Sequence, residues 1–208
     1  MFIGFMGVPG CGKSATAAAL AEHFDQKAFL EPEEEQWSDL VMKRNELGAF
    51  GPYLALQWFR NERVPGYLEA SRLHQKGGTS VVDSMYDKLA ARYLSDKAMN
   101  WMIPPSNPYF AAALQGAQAD FAHLPDPTHV VFVTVDPATW QELLRLRGRT
   151  FDGENQIGSD PKLQDVMYKA TRKYCNEHGI EFIVHEQMVG SADATAKDVA
   201  KLLDRITR

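Results

Sequence analysis

Met1-Phe2-Ile3-Gly4-Phe5-Met6-Gly7-Val8-Pro9-Gly10-Cys11-Gly12-Lys13-Ser14-Ala15-Thr16-Ala17-Ala18-Ala19-Leu20 opens the chain and decides its fold class. An apolar run, a glycine-rich turn and an alanine-rich stretch read as strand, loop and helix. Gly7–Ser14 fits G-x-x-x-x-G-K-[ST], the Walker A pattern, in the strand–loop–helix setting that gives the pattern its meaning. Glycines there let backbone N–H groups turn inward around phosphate oxygens, and the start of the next helix adds partial positive charge. Lys13 is spaced to reach the β- and γ-phosphates, and the Ser14 hydroxyl to ligate Mg²⁺. Gly7, Gly10, Cys11, Gly12, Lys13, Ser14 and Ala15 are therefore the candidate phosphate-binding residues. The helix start can lower the pKa of the Cys11 thiol, or Cys11 can be a passive spacer.

Outward from this loop, four further apolar runs read as strands: Lys27–Glu31, Ser80–Asp83, Val130–Val135 and Glu181–His185. With Phe2–Met6 they make five, separated by helical patterns. That alternation predicts an α/β fold of the P-loop NTPase type, a five-stranded parallel sheet with helices on both faces. The stretch from Glu33 to Gly77 reads as two helices broken near Gly48–Pro52, and Pro104–Pro108 separates two more. Gly153–Asp160 reads as a mobile loop. No repeat or linker divides the chain, so residues 1–208 are expected to form one domain, with a lid at about 145–160.

Composition narrows the function classes. Apolar residues are 45% and charged residues 24% of the 208, ordinary for a globular protein. A net charge of −5 argues against a general coat for nucleic acid, though not against a local basic groove. Two cysteines are too few for a disulfide framework, and the six histidines lack metal-ligand spacing. No apolar run is long enough for a membrane span, and the first strand starts at the first residue. The expected location is the cytoplasm, or a host cytoplasm for a phage-encoded protein.

In open α/β sheets ligands bind at the carboxyl ends of strands. Strand two ends in Glu31-Pro32, and Glu31 can either accept a proton from an attacking hydroxyl or cap the next helix. Glu33, Glu34 and Glu35 read as a solvated first turn. Asp83 ends strand three, where an acid can serve Mg²⁺. Arg145, Arg147 and Arg149 lie beside the Gly153–Asp160 loop, as an arginine-bearing lid that stabilises a transferring phosphoryl group. The aromatics Trp37, Phe50, Tyr53, Trp58, Phe59, Tyr86, Tyr109 and Phe110 can stack on a nucleobase or fill the core.

The order of the Gly7–Ser14 loop, Glu31-Pro32 with Trp37 beyond, acid-ended strand at Asp83, and Arg145-Leu146-Arg147-Gly148-Arg149 resembles the deoxynucleoside kinase family over nearly the whole chain. The resemblance implies ATP- and Mg²⁺-dependent transfer of the γ-phosphoryl group to a nucleoside hydroxyl. Glu31 would be the general base, Asp83 would serve Mg²⁺, and Arg147 and Arg149 would clamp phosphates. Lys13 and Arg145 would complete the ATP side. The acceptor end departs from the family pattern. Ser84-Met85 follows Asp83 where the family has an arginine that helps position the substrate hydroxyl, and Gly51-Pro52 follows Phe50 where it has a base-reading glutamine. Trp37, Tyr53, Gln57, Arg60, Ser84 and Tyr86 are the acceptor-side candidates. Two alternatives stay open. One is a kinase acting on a hydroxymethyl group of a modified pyrimidine in DNA, as in phage hypermodification. The other is a nucleoside monophosphate kinase, or a phosphate-loop ATPase switch, with Arg60, Arg63 or Arg72 serving an acceptor phosphate. A homodimer also stays open.

Overall fold

A computed structural model describes residues 1–158, 160–190 and 192–206, leaving aside the side chains of Leu202, Arg205 and Ile206. Five strands, β1 (Phe2–Met6), β2 (Ala28–Phe29), β3 (Ser80–Val82), β4 (His129–Thr134) and β5 (Glu181–Glu186), form one parallel sheet in the order β2-β3-β1-β4-β5. Every residue of β1 is buried, as its unbroken apolar run requires of a strand covered on both faces. The helix α1 (Lys13–His23) packs on α9 (Ala192–Ile206). The helices α3 (Phe50–Gln75), α4 (Tyr86–Tyr93), α5 (Phe110–His123) and α8 (Lys162–His178) pack among themselves in the other layer. The chain leaves β1 toward β2 and leaves β3 toward β4. The strand order therefore reverses between β1 and β3, and a crevice opens at their carboxyl ends.

The sheet matches the sequence reading; the helices differ in detail. Strand β2 is two residues long, because it is an edge strand that meets Pro32, which cannot donate to a ladder. Glu31 and Asp83 thus lie just beyond their strands. The first of the two helices read between Glu33 and Gly77 shrinks to a 3₁₀ turn at Glu34–Gln36 and the single turn α2 (Asp39–Met42). The second, α3, starts at Phe50 and runs through both Pro52 and Pro65. Pro52 falls in the first turn, where backbone N–H groups have no helical partner anyway.

The helix α6 (Pro137–Arg147) is capped by the Asp136 carboxylate, which accepts from the amides of Ala138 and Thr139 at 3.0 and 3.1 Å. It ends at Gly148, whose φ of 65° suits a residue without a side chain. A short helix α7 (Thr150–Glu154) then occupies the start of the segment expected to be loop. Position 159 of that segment lies outside the described residues. No described helix is long and apolar enough to cross a membrane.

Candidate functional site

The Gly7–Ser14 loop links β1 to α1 at the reversal point. Gly7 has φ 147°, and a Cβ there would meet the Val133 carbonyl oxygen at 2.5 Å. Gly12 caps α1 with φ 87°. Lys13 is buried, donates to the Val8 carbonyl at 2.9 Å and lies 5.1 Å from the centroid of the Tyr86 ring. Burial disfavours its ammonium. The carboxyl groups near it, Asp83 and Glu31, oppose burial and raise its pKa, so Lys13 stays cationic. Cys11 points inward, and its Sγ is 3.8 Å from the Val133 carbonyl oxygen. Burial pushes its thiol up, which answers the question of a helix-lowered pKa: Cys11 is a packed, neutral thiol.

Three acids meet at the other wall of the crevice. The amide of Asp83 donates to the Phe29 carbonyl at 2.9 Å, which continues the β2–β3 pairing one step past the strands. The Ser14 hydroxyl donates to Asp83 Oδ2, while the buried Asp83 Oδ1 has no hydrogen-bond partner among the described residues. A hydroxyl in contact with a carboxylate that keeps a free oxygen is a donor set suited to a hard divalent cation. Burial, opposed first by Lys13, raises the pKa of Asp83 to about 6. Glu31 Oε1 accepts from the Ser84 hydroxyl at 3.0 Å and from Arg63 Nη1 at 3.3 Å. Arg63 is itself buried and forked onto Asp87, at 2.7 and 3.0 Å. Where the resemblance left no arginine after strand three, α3 supplies one beside Glu31.

The loop and Glu31 face a common cavity of about 480 Å³. Its wall includes the sequence candidates Gly10, Gly12, Lys13, Ser14, Ala15, Glu31, Trp37, Tyr86, Arg147 and Arg149. Trp37 donates from its indole to the Pro32 carbonyl at 2.9 Å and lies under the Arg149 guanidinium, 5.1 Å from ring centroid to Cζ. Arg147 pairs with Asp152 at 2.9 Å, and Arg149 pairs with Glu33. The Glu33 to Glu35 turn is thus more than solvated surface, because Glu33 fastens the arginine segment to the rest. Tyr86 donates to the Gly7 carbonyl at 2.7 Å, bracing the loop.

Other candidates lie elsewhere. Gly7, Cys11, Asp83 and Ser84 stand just behind the cavity wall, each in contact with a residue that lines it or with its neighbour. Arg145 is exposed and forked onto Glu142 at 2.7 Å, three residues back on α6, away from the cavity. Tyr53 stacks on Tyr109 at 5.3 Å in a separate cluster with Leu94, Ile103 and Ala113. Arg60 is ion-paired with Asp120 of α5, and Gln57 is not part of the cavity wall. The α3 side chains that do face the cavity are Ala55, Leu56, Phe59 and Arg63. Arg44, Trp101, Phe151 and Asp152 complete it without having been singled out in the sequence.

The sheet order and this loop define a phosphate-loop kinase fold. Two solved structures of deoxyadenosine kinase from M. mycoides share it. The one with products dCMP and a flexible dCDP bound superposes with a TM-score of 0.66 at 12% identity, covering 99% of this chain and 100% of that one. The one with bound dATP gives 0.59 at 14% identity, covering 97% and 98%. No protein-family model and no curated protein matches the sequence.

Proposed function

We propose that this protein is an ATP-dependent kinase that transfers the γ-phosphoryl group to a hydroxyl of a nucleoside-like acceptor. The observation that carries the reading is the Glu31 carboxylate on the wall of the same cavity as Lys13 and Ser14. Its Oε1 is engaged by Ser84 and Arg63, which fixes the carboxylate and leaves Oε2 to receive the acceptor proton. The acceptor oxygen forms its bond to the γ-phosphorus as the bond to the β–γ bridging oxygen breaks. The proton goes to Glu31 and ADP leaves.

Lys13 and the backbone amides of the loop bind the phosphates. Arg147 and Arg149 reach the developing charge from the α6–α7 joint, with phosphate oxygens competing for guanidinium groups that Asp152 and Glu33 hold in place. Ser14 and Asp83 would hold Mg²⁺, whose chemistry there is to neutralise charge on the phosphate oxygens. The likeness in fold to deoxyadenosine kinase supports the acceptor class.

Steady-state assays of Glu31→Gln across a panel of nucleosides test the mechanism. The expected result is a fall in kcat of about 100-fold or more, with ATP binding unchanged. Near-normal turnover would remove Glu31 from the base role.

A further inference from the structure

Arg44 follows α2 and is only 6% exposed. The other buried or half-buried arginines of the site, Arg63, Arg147 and Arg149, each have a carboxylate partner. Among the described residues Arg44 has none. Its Nη2 donates to the backbone carbonyls of Trp101 and Met102, and its Cζ lies 5.5 Å from the centroid of the Phe151 ring. Its Nε is buried with no hydrogen-bond partner, and so is the indole Nε1 of Trp101. Both residues line the cavity that holds Glu31. Burial lowers the pKa of Arg44 to about 10, which still leaves a full positive charge at neutral pH.

A buried cation without a counter-charge is costly, and an unsatisfied buried donor adds to the cost. Arg44 is such a cation in the wall of the cavity, and an oxyanion bound there would supply its missing counter-charge. The Glu31 part of the wall is the reverse case. Glu31 repels an anion close to the reacting hydroxyl, while the rings of Phe59, beside Arg63, and Phe151, beside Arg44, lie 6.4 Å apart between the two and offer apolar surface.

We infer that the Arg44–Trp101 end of the cavity binds a phosphate group carried by the acceptor, remote from the hydroxyl that receives the γ-phosphoryl group. The substrate class is then a phosphate-bearing alcohol with an apolar or aromatic body, such as a nucleotide whose free hydroxyl lies at the end away from its phosphate. The transfer step rests on the kinase reading. The phosphate site does not, because binding alone reports it.

Calorimetric titration of the full chain without ATP tests the site with two pairs: thymidine against thymidine 3′-monophosphate, and hydroxymethyldeoxyuridine against its 5′-monophosphate. The phosphate-bearing member of at least one pair is expected to bind about tenfold tighter, as a charge-assisted contact warrants. Arg44→Gln should abolish that preference while ATP binding is unchanged, and Arg44→Lys should restore part of it. Trp101→Phe, which removes only the indole donor, serves if Arg44→Gln does not fold, and should weaken the preference several-fold. Equal affinity within both pairs, or a preference that survives Arg44→Gln, overturns the inference. Phosphate preference without phosphoryl transfer to any of the four ligands would uphold this site and count against the kinase reading alone.

Discussion

At Asp83 stability and function pull in opposite directions. Its carboxyl is buried, and its pKa is raised to about 6 from an ordinary 3.8. Between those values the folded chain holds a proton that the unfolded chain has released. The contribution of Asp83 therefore favours folding least above pH 6, and its cost disappears below about pH 4. Asp83→Asn keeps an acceptor for the Ser14 hydroxyl and removes the buried charge. Its Tm at pH 8 should exceed that of the wild type by ~2–4 °C, with the gap closing toward pH 4, while phosphoryl transfer is lost. A lower Tm at pH 8 would show that the attraction of Lys13 outweighs burial. The placement of these acids beside the loop was partly legible in the sequence. Glu31 and Asp83 could be picked out because strand ends are where ligands bind in such sheets. The Arg63 contact to Glu31 could not, because 32 residues separate the partners and only the packing of α3 brings them together.

Among the elements, α3 carries both the acceptor-side candidates of the sequence and the side chains that line the cavity, on different faces. Tyr53, Gln57 and Arg60 share one side of α3, from which Tyr53 meets Tyr109 and Arg60 meets Asp120, at the start and on the body of the neighbouring α5. Leu56, Phe59 and Arg63, stepping by three and four where the first set steps by four and three, face the cavity. Each set ends in an arginine, so periodicity alone does not say which arginine meets the cavity; the packing of α3 on β3 and α5 does.

The α6–α7 joint is the second element of interest. The arginines were visible as a basic end to a helix beside a glycine-rich segment. Their ties to Asp152 and Glu33 were not. If this joint is a lid, amides of residues 150–157 should exchange hydrogen more slowly when ATP and Mg²⁺ are added, and faster in nucleotide-free Asp152→Asn, as read by mass spectrometry. Exchange indifferent to both changes would remove the lid.

Among the described residues the main core runs from Phe2 and Phe5 of β1 through Phe132 of β4 to Leu203 of α9, with two small clusters beside it. One core predicts one cooperative unfolding transition by calorimetry, moved up by ~5 °C or more at 100-fold excess of ATP over its Kd. Two separable transitions would instead divide the chain into two units.

By itself the sequence determined the local features: a strand, a glycine-bounded loop and a helix in succession, five apolar runs of strand length, and acids at the ends of two of them. These follow from side-chain period and backbone freedom, which act over a few residues. The tertiary structure alone decided which charged groups reach the cavity. It joined Arg63 to Glu31 and Asp87, turned Arg60 and Arg145 away, and buried Arg44 beside Trp101 without an acid. The contacts of Arg63 with Glu31, Arg60 with Asp120 and Arg44 with Trp101 span 32, 60 and 57 residues of chain, and no local rule of spacing fixes those.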